Sequence, residues 1–125
     1  MEEEVLNYSQ EFIEEIKAKV AELRKADPKL KQIFPIVIEG SEYDAKERYV
    51  GYFRQPSFAI FSKYLTAAQN NQAVATRQLA RDCFIDGDKD ILEDDSLFLF
   101  GLMGQISKII EMRSGTLVNF SKAGK

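Results

Sequence analysis

Apolar residues recur at helical spacing near both ends of the chain and at strand spacing between them. Val5, Tyr8, Phe12, Ile13, Ile16, Val20 and Leu23 fall three or four apart and so line one stripe of an amphipathic helix, predicted over residues 1–27. Glu2, Glu3, Glu4, Glu11, Glu14 and Glu15 crowd its first half, and Lys17, Lys19, Arg24 and Lys25 its second, as the helix dipole favours. Asp27-Pro28 ends it. The runs Ile33-Phe-Pro-Ile-Val-Ile-Glu39 and Arg48-Tyr-Val-Gly-Tyr-Phe-Arg54 are short and rich in β-branched and aromatic residues. With Gly40-Ser-Glu after the first, they predict an antiparallel β-hairpin over residues 33–54. Alternation places Tyr49, Gly51 and Phe53 on one face of the second strand and Arg48, Val50, Tyr52 and Arg54 on the other. Neither face is wholly polar, so both are expected to be covered. A lone hairpin is marginal in water, which calls for helices packed on it or for pairing with a second copy.

After Gln55-Pro56 the period returns to helical. Phe58, Phe61, Leu65 and Ala68 form a stripe, Ser57 is a plausible cap, and Asn70-Asn71 breaks the run near Gln69. A second helix carries Ala75, Leu79, Ala80, Cys83 and Phe84 on its buried side, giving a helical pair over residues 57–84. Asp86-Gly-Asp-Lys-Asp90 reads as a turn and Ile91-Leu92 as a small apolar plug. Asp94-Asp-Ser96 caps a last helix over residues 96–113. Its core stripe is Leu99, Leu102, Met103, Ile106, Ile109 and Ile110, but Leu97, Phe98 and Phe100 carry apolar character almost all round its first turn, more than one helix face explains. Residues 114–125 read as a tail. The expectation is a single α+β domain over residues 1–125, mainly helical, with one hairpin packed by short helices and a long C-terminal amphipathic helix.

Composition narrows the chemistry. At 125 residues, 45% apolar and 30% charged, the chain is a globular domain, and its longest apolar runs are far shorter than the roughly 20 residues that span a bilayer. The acidic start is unlike a basic leader, so the expected place is the cytoplasm, with no membrane partner. The chain has no His and one cysteine, Cys83, on an apolar helix side, where it reads as a buried small hydrophobe. The commonest general base and the usual zinc ligands are thus missing. Asp86, Asp88 and Asp90 alternate as at the start of a calcium loop, but Ile91 and Leu97 stand where that loop needs Gly and Glu. An enzyme resting on carboxylates such as Asp86 and Asp88 is the weakest reading. No catalytic, metal or cofactor site is expected.

Charge is segregated. Lys46 to Arg81 holds six basic residues against Glu47, and Asp82 to Asp95 seven acidic residues against Lys89. A basic hairpin interleaved with Tyr49, Tyr52 and Phe53 suits single-stranded nucleic acid. The net charge of −3 and the acidic neighbour oppose it and favour charge pairing within or between chains. A nucleic-acid-associated or regulatory module is therefore the alternative reading, with nucleic acid disfavoured as a partner. Arg54, at a strand end, is placed to reach Asp82, Asp94 or Asp95. The surplus of Tyr52, Phe58, Phe61, Tyr64, Leu65, Leu97, Phe98 and Phe100 exceeds what a small hairpin and short helices need, and leftover apolar surface marks an interface. The N-terminal helix is a candidate lid over part of it.

The hairpin ending Tyr49-Val-Gly-Tyr-Phe-Arg-Gln-Pro-Ser57, the helical pair, Asp82-Cys-Phe-Ile-Asp-Gly-Asp-Lys-Asp-Ile-Leu-Glu-Asp-Asp95 and the closing helix together resemble the small tail assembly chaperones of tailed bacteriophages and prophages. The likeness covers residues 34–113, and the long acidic helix before residue 28 departs from it. It implies a non-enzymatic protein of the bacterial host cytoplasm that binds the tape measure protein of a phage tail and keeps it soluble during tail assembly; self-association is a further option, from the hairpin and the charge blocks. Such families also make a longer form by ribosomal frameshifting near the C-terminus, which is a property of the nucleotide sequence. The expected contact residues are Tyr52, Phe53, Arg54, Phe58, Phe61, Leu97, Phe98 and Phe100.

Overall fold

A computed structural model describes residues 8–110 and 115–120. The expected stripe position Val5, the acidic start, the end of the last helix expected over 111–113 and the lysine-bearing end lie outside the described residues. Helix α1 (Gln10–Ala26) is followed by strands β1 (Ile33–Glu39) and β2 (Arg48–Arg54). Then come α2 (Phe58–Ala68), α3 (Gln72–Cys83), β3 (Phe84–Gly87), the one-turn α4 (Asp90–Glu93) and α5 (Asp95–Leu97), a π-helical turn (Phe98–Leu102) and α6 (Met103–Ile110). The fold is α+β and mainly helical, built on an antiparallel sheet in the order β1-β2-β3.

Helix starts follow their caps. The Ser9, Ser57 and Asn71 side chains accept the N–H of Phe12, Ile60 and Val74 at 3.1, 3.2 and 3.1 Å. The hairpin pairs Ile33 with Arg54 through Glu39 with Arg48. Gly40 N–H donates to the Glu47 carbonyl at 2.8 Å, so in the alternating antiparallel ladder Pro35 falls in a pair whose backbone groups point away from β2. Its missing N–H costs the sheet nothing there and blunts an edge that would otherwise invite another strand.

The sequence reading extends the second helix of the pair through Phe84, whereas the structure ends α3 at Cys83 and makes Phe84–Gly87 a third strand. Phe84 pairs with Phe53, the rings 5.5 Å apart and edge to face, and a bulge sits where the register shifts between Tyr52 and Phe53. Gly87, at φ +121°, turns the chain so that Asp88 N–H donates to the Val50 carbonyl at 2.8 Å and its carboxylate accepts Val50 N–H at 2.8 Å. The partner strand is more than thirty residues away, so local periodicity could not announce it.

Phe34, Ile36, Ile38, Tyr49 and Phe53 share one sheet face and form the core with Leu79, Ala80 and Cys83 of α3, Ile91 and Leu92 of α4, and Leu97, Phe98, Leu102, Ile106 and Ile109. The C-terminal helix is not continuous. The π turn inserts a residue's worth of rotation, which buries Leu97 and Phe98 and turns Leu99, expected in the core, outward. Gly101 makes that approach feasible, because a Cβ there would lie 2.7 Å from Ile38 Cγ2. The other sheet face carries α1, whose Phe12, Ile13, Ile16, Val20 and Leu23 are half-buried, as is Tyr8 just before it, with no α1 side chain fully buried. Both faces of the hairpin are covered, as its alternation predicts.

Gly87→Ala is expected to destabilise the fold by at least about 2 kcal/mol, since alanine is strained at that φ and its Cβ would meet the Val50 carbonyl oxygen at 2.3 Å. Gly104→Ala, with nothing within 4 Å of the new Cβ, should be neutral or stabilising by up to about 1 kcal/mol. Denaturant melts of the two variants check this; equal midpoints would refute the assigned role of the turn.

Candidate protein-binding surface

Helix α2 reads Phe58-Ala-Ile-Phe-Ser-Lys-Tyr-Leu-Thr-Ala-Ala68, with Lys63 as its one charged side chain, yet none of its residues is fully buried. The Pro56-Ser57 start and the Asn70-Asn71 break hold it as one arm of a hairpin with α3, so it leans on α3 and does not enter the core. Ile60 and Tyr64 take the inner side, packed against the core edge. Phe58 and Leu65 take the outer side, 89% and 51% exposed, and Phe61, half-buried, sits between the two sides. Phe61 stacks on Tyr64 at 5.7 Å between ring centroids, which keeps the two rings in one orientation. The stripe that periodicity identifies is real, but its role is the opposite of a core-facing one.

Two hollows flank this arm. A groove of about 500 Å³ runs between α2 and α3, with an apolar wall of Ile60, Tyr64, Ala67, Val74 and Leu79, and the Lys63–Asp82 ion pair (3.2 Å) among its lining residues. A smaller one of about 250 Å³ lies under Pro56, Phe58 and Phe61 and reaches Ile110 of α6. Val74, exposed on α3, extends the apolar rim. Sequence reading did not select Leu65 or Val74 as contacts; for Leu65 the signal was present in the stripe it shares with Phe58 and Phe61.

Of the other expected contact residues, four are withdrawn from the surface. Phe53 is 0% and Phe98 1% exposed in the core, and Leu97 is buried beside them because the π turn rotates it inward. Tyr52 is buried on the opposite sheet face, beside Lys19 and Glu15 of α1, and its burial pushes the phenol above its usual range, with Lys19 opposing. Arg54 is exposed, and its Nη2 donates to the Asp82 carbonyl at 3.3 Å and not to a carboxylate. Phe100 is 87% exposed, but it projects from the π turn, which packs on β1, an element apart from the α2–α3 arm. The structure therefore brings Phe58 and Phe61 together with Leu65 and leaves the rest elsewhere.

The basic and acidic blocks meet each other. Lys46 bonds Asp88, Lys63 reaches Asp82 at 3.2 Å, Arg77 reaches Asp95 at 2.8 Å while its guanidinium lies 4.8 Å from the Phe98 ring centroid, and Arg81 grips Glu93 with two donors at 3.2 and 2.9 Å. Arg48 pairs with Glu39 at 3.5 Å. This compensates the basic face that a polyanion would need. In the acidic turn Asp86 pairs with Lys19 at 2.8 Å and Asp88 ties the turn to β2. No group of three His, Cys, Asp or Glu among the described residues is placed to hold a metal ion. Burial pushes the Cys83 thiol up to about 11, with Arg54 opposing and Asp82 adding, so it is no thiolate at neutral pH. No described helix is long and apolar enough to cross a membrane.

No family model matches the sequence, and no curated protein matches it. Among solved structures, the chain is similar to one described as the uncharacterised protein rbstp2171 from Bacillus stearothermophilus. The match covers 80% of this chain and 99% of that one, with a TM-score of 0.55 and 20% sequence identity. At that identity the likeness shows a shared fold.

Phe58→Ser should change stability by no more than about 0.5 kcal/mol, whereas Phe53→Ala or Phe98→Ala should cost about 3–5 kcal/mol. Urea titration separates the two classes. The Asp86–Lys19 pair yields a pH prediction for α1. The hydrogen bond from Lys19, helped by the N–H of Gly87, holds the Asp86 carboxyl below the usual range, and the same bond raises Lys19. A lowered carboxyl stabilises the fold above its unfolded pKa, and that contribution disappears as pH falls through the lowered value; the raised lysine contributes below the ordinary lysine range and is lost as pH rises through its raised value. Hydrogen exchange, corrected for intrinsic rates, should accelerate across residues 10–26 before α3 in acid and again in strong alkali. Parallel acceleration of both helices would argue against the pair.

Proposed function

We propose that this chain is a phage or prophage tail assembly chaperone, a non-enzymatic protein of the bacterial cytoplasm that binds the tape measure protein of a tail and keeps it soluble during assembly. The observation that carries the reading is α2, an eleven-residue helix with a single charge and no buried residue, whose Phe58 and Leu65 point away from the core with the half-buried Phe61 between them. An elongated helical client exposes apolar stripes before the tail tube forms around it, and water drives such stripes together. Anchors at i, i+3 and i+7 on a preformed helix beside an apolar groove match the spacing of such a stripe, so helix-in-groove contact covers it without covalent chemistry. Net charge of −3 keeps the outer surface solvated. The sequence resemblance over residues 34–113 supports the same role. Nothing in it needs a nucleophile or metal, and the buried Cys83 and the engaged acidic turn fit that.

Coexpression with the tape measure protein of the same tail gene cluster tests the proposal. The wild-type chain should raise the soluble fraction of the client and copurify with it in high salt. The double substitution Phe58→Ser/Leu65→Ser should abolish copurification while the chain itself keeps its thermal midpoint. A client equally soluble with and without this protein would overturn the assignment.

A further inference from the structure

The second face of the sheet is built differently from the first. It presents Ile33 and Tyr52, both buried, and Val37 and Val50, half-buried, and among the described elements α1 packs on it. No α1 side chain belongs to the buried core, and residues 27–32 connect the helix to β1 as a short non-helical stretch. Helix α1 is held instead by a half-buried stripe and by polar contacts at two places. Near its start, Tyr8 Oη donates to Glu39 Oε2 at 3.0 Å, and the Arg48 guanidinium lies 5.1 Å from the ring centroids of both Tyr8 and Phe12. Two turns further on, Lys19 Nζ meets Asp86 Oδ2 at 2.8 Å. The main core cluster takes no side chain from this helix, and what the helix covers is the strip of Ile33, Val37, Val50 and Tyr52, with a cation at one end and a carboxylate at the other.

We infer that this face is a receptor groove for an amphipathic helix of a partner protein, and that α1 is its resident, exchangeable occupant. The seated helix defines what the groove takes: two aromatic residues four apart to lie on Arg48, aliphatic residues along the following turns, and a Lys or Arg seven residues after the second aromatic to meet Asp86. Tethering gives α1 an effective concentration on the order of millimolar, so an incoming helix gains access chiefly when α1 is loosened. The groove is separate from the α2 arm and does not depend on the chaperone reading.

The test uses full chains and a fluorescein-labelled peptide of residues 8–27. Ile16→Asp puts a carboxylate into the apolar stripe of α1. The Ile16→Asp chain should bind the wild-type peptide at least ten-fold more tightly than the wild-type chain does, and adding Asp86→Lys should weaken that binding several-fold. In the wild-type chain, amide exchange in α1 should be faster than in β2. Equal binding by both chains, or no binding by the Ile16→Asp chain, would overturn the inference. So would loss of cooperative melting in that variant, or α1 amides that exchange only through global unfolding, because either result makes α1 part of the core. The assay contains no tape measure protein, so its failure and that of the chaperone proposal are separable.

Discussion

Phe53 lies near the end of β2, the middle strand of the sheet, with no solvent exposure, and the layout of the molecule follows from what closes over it. On one side β1 supplies Phe34 as its cross-strand partner, on the other β3 brings Phe84 edge to face, and above lie Leu79, Ile91, Phe98 and Leu102. An aromatic ring of that size buries a large apolar area, so the elements that enclose it are the ones the fold cannot lose. α3, α4, the π turn and α6 all contribute to that enclosure. α1 and α2 do not, and they remain the two helices with no fully buried side chain.

That division explains where the binding chemistry can lie. A helix recruited to a core spends its apolar stripe on the core, whereas α2 keeps Phe58 and Leu65 toward solvent, and Phe61 half-covered, because α3 and the core edge need only its other side. Charge follows a complementary rule. The basic residues between Lys46 and Arg81 and the acidic ones between Asp82 and Asp95 are adjacent in sequence, yet they pair across elements, tying α2 to α3, α3 to α4 and α5, and the β1–β2 loop to the acidic turn. Exposed pairs of this kind add little stability each, but together they compensate a field that would otherwise attract polyanions.

The hairpin, the two-faced alternation of β2, the caps at Ser57 and Asp94 and the helical pair were legible because each rests on contacts within a few residues. The third strand was not, since Phe84 and Ile85 suit the end of an apolar helix face as well as a strand, and the choice is made by Phe53 and Val50 far upstream. The last helix hid its break for a similar reason. Its excess of apolar residues around the first turn was visible, but the π turn that divides them into buried Leu97 and Phe98 and exposed Leu99 and Phe100 depends on Gly101 fitting against Ile38.

By itself the amino-acid order determined the hairpin and the longer helices, the single inert cysteine, the opposing charge blocks and the presence of more aromatic surface than a small core needs. Only the tertiary structure decided which aromatics those are: Phe53 and Phe98 inside, Phe58 and Phe100 outside. Periodicity tells which residues share a face, but burial depends on what packs against that face, and the packing partners come from other parts of the chain.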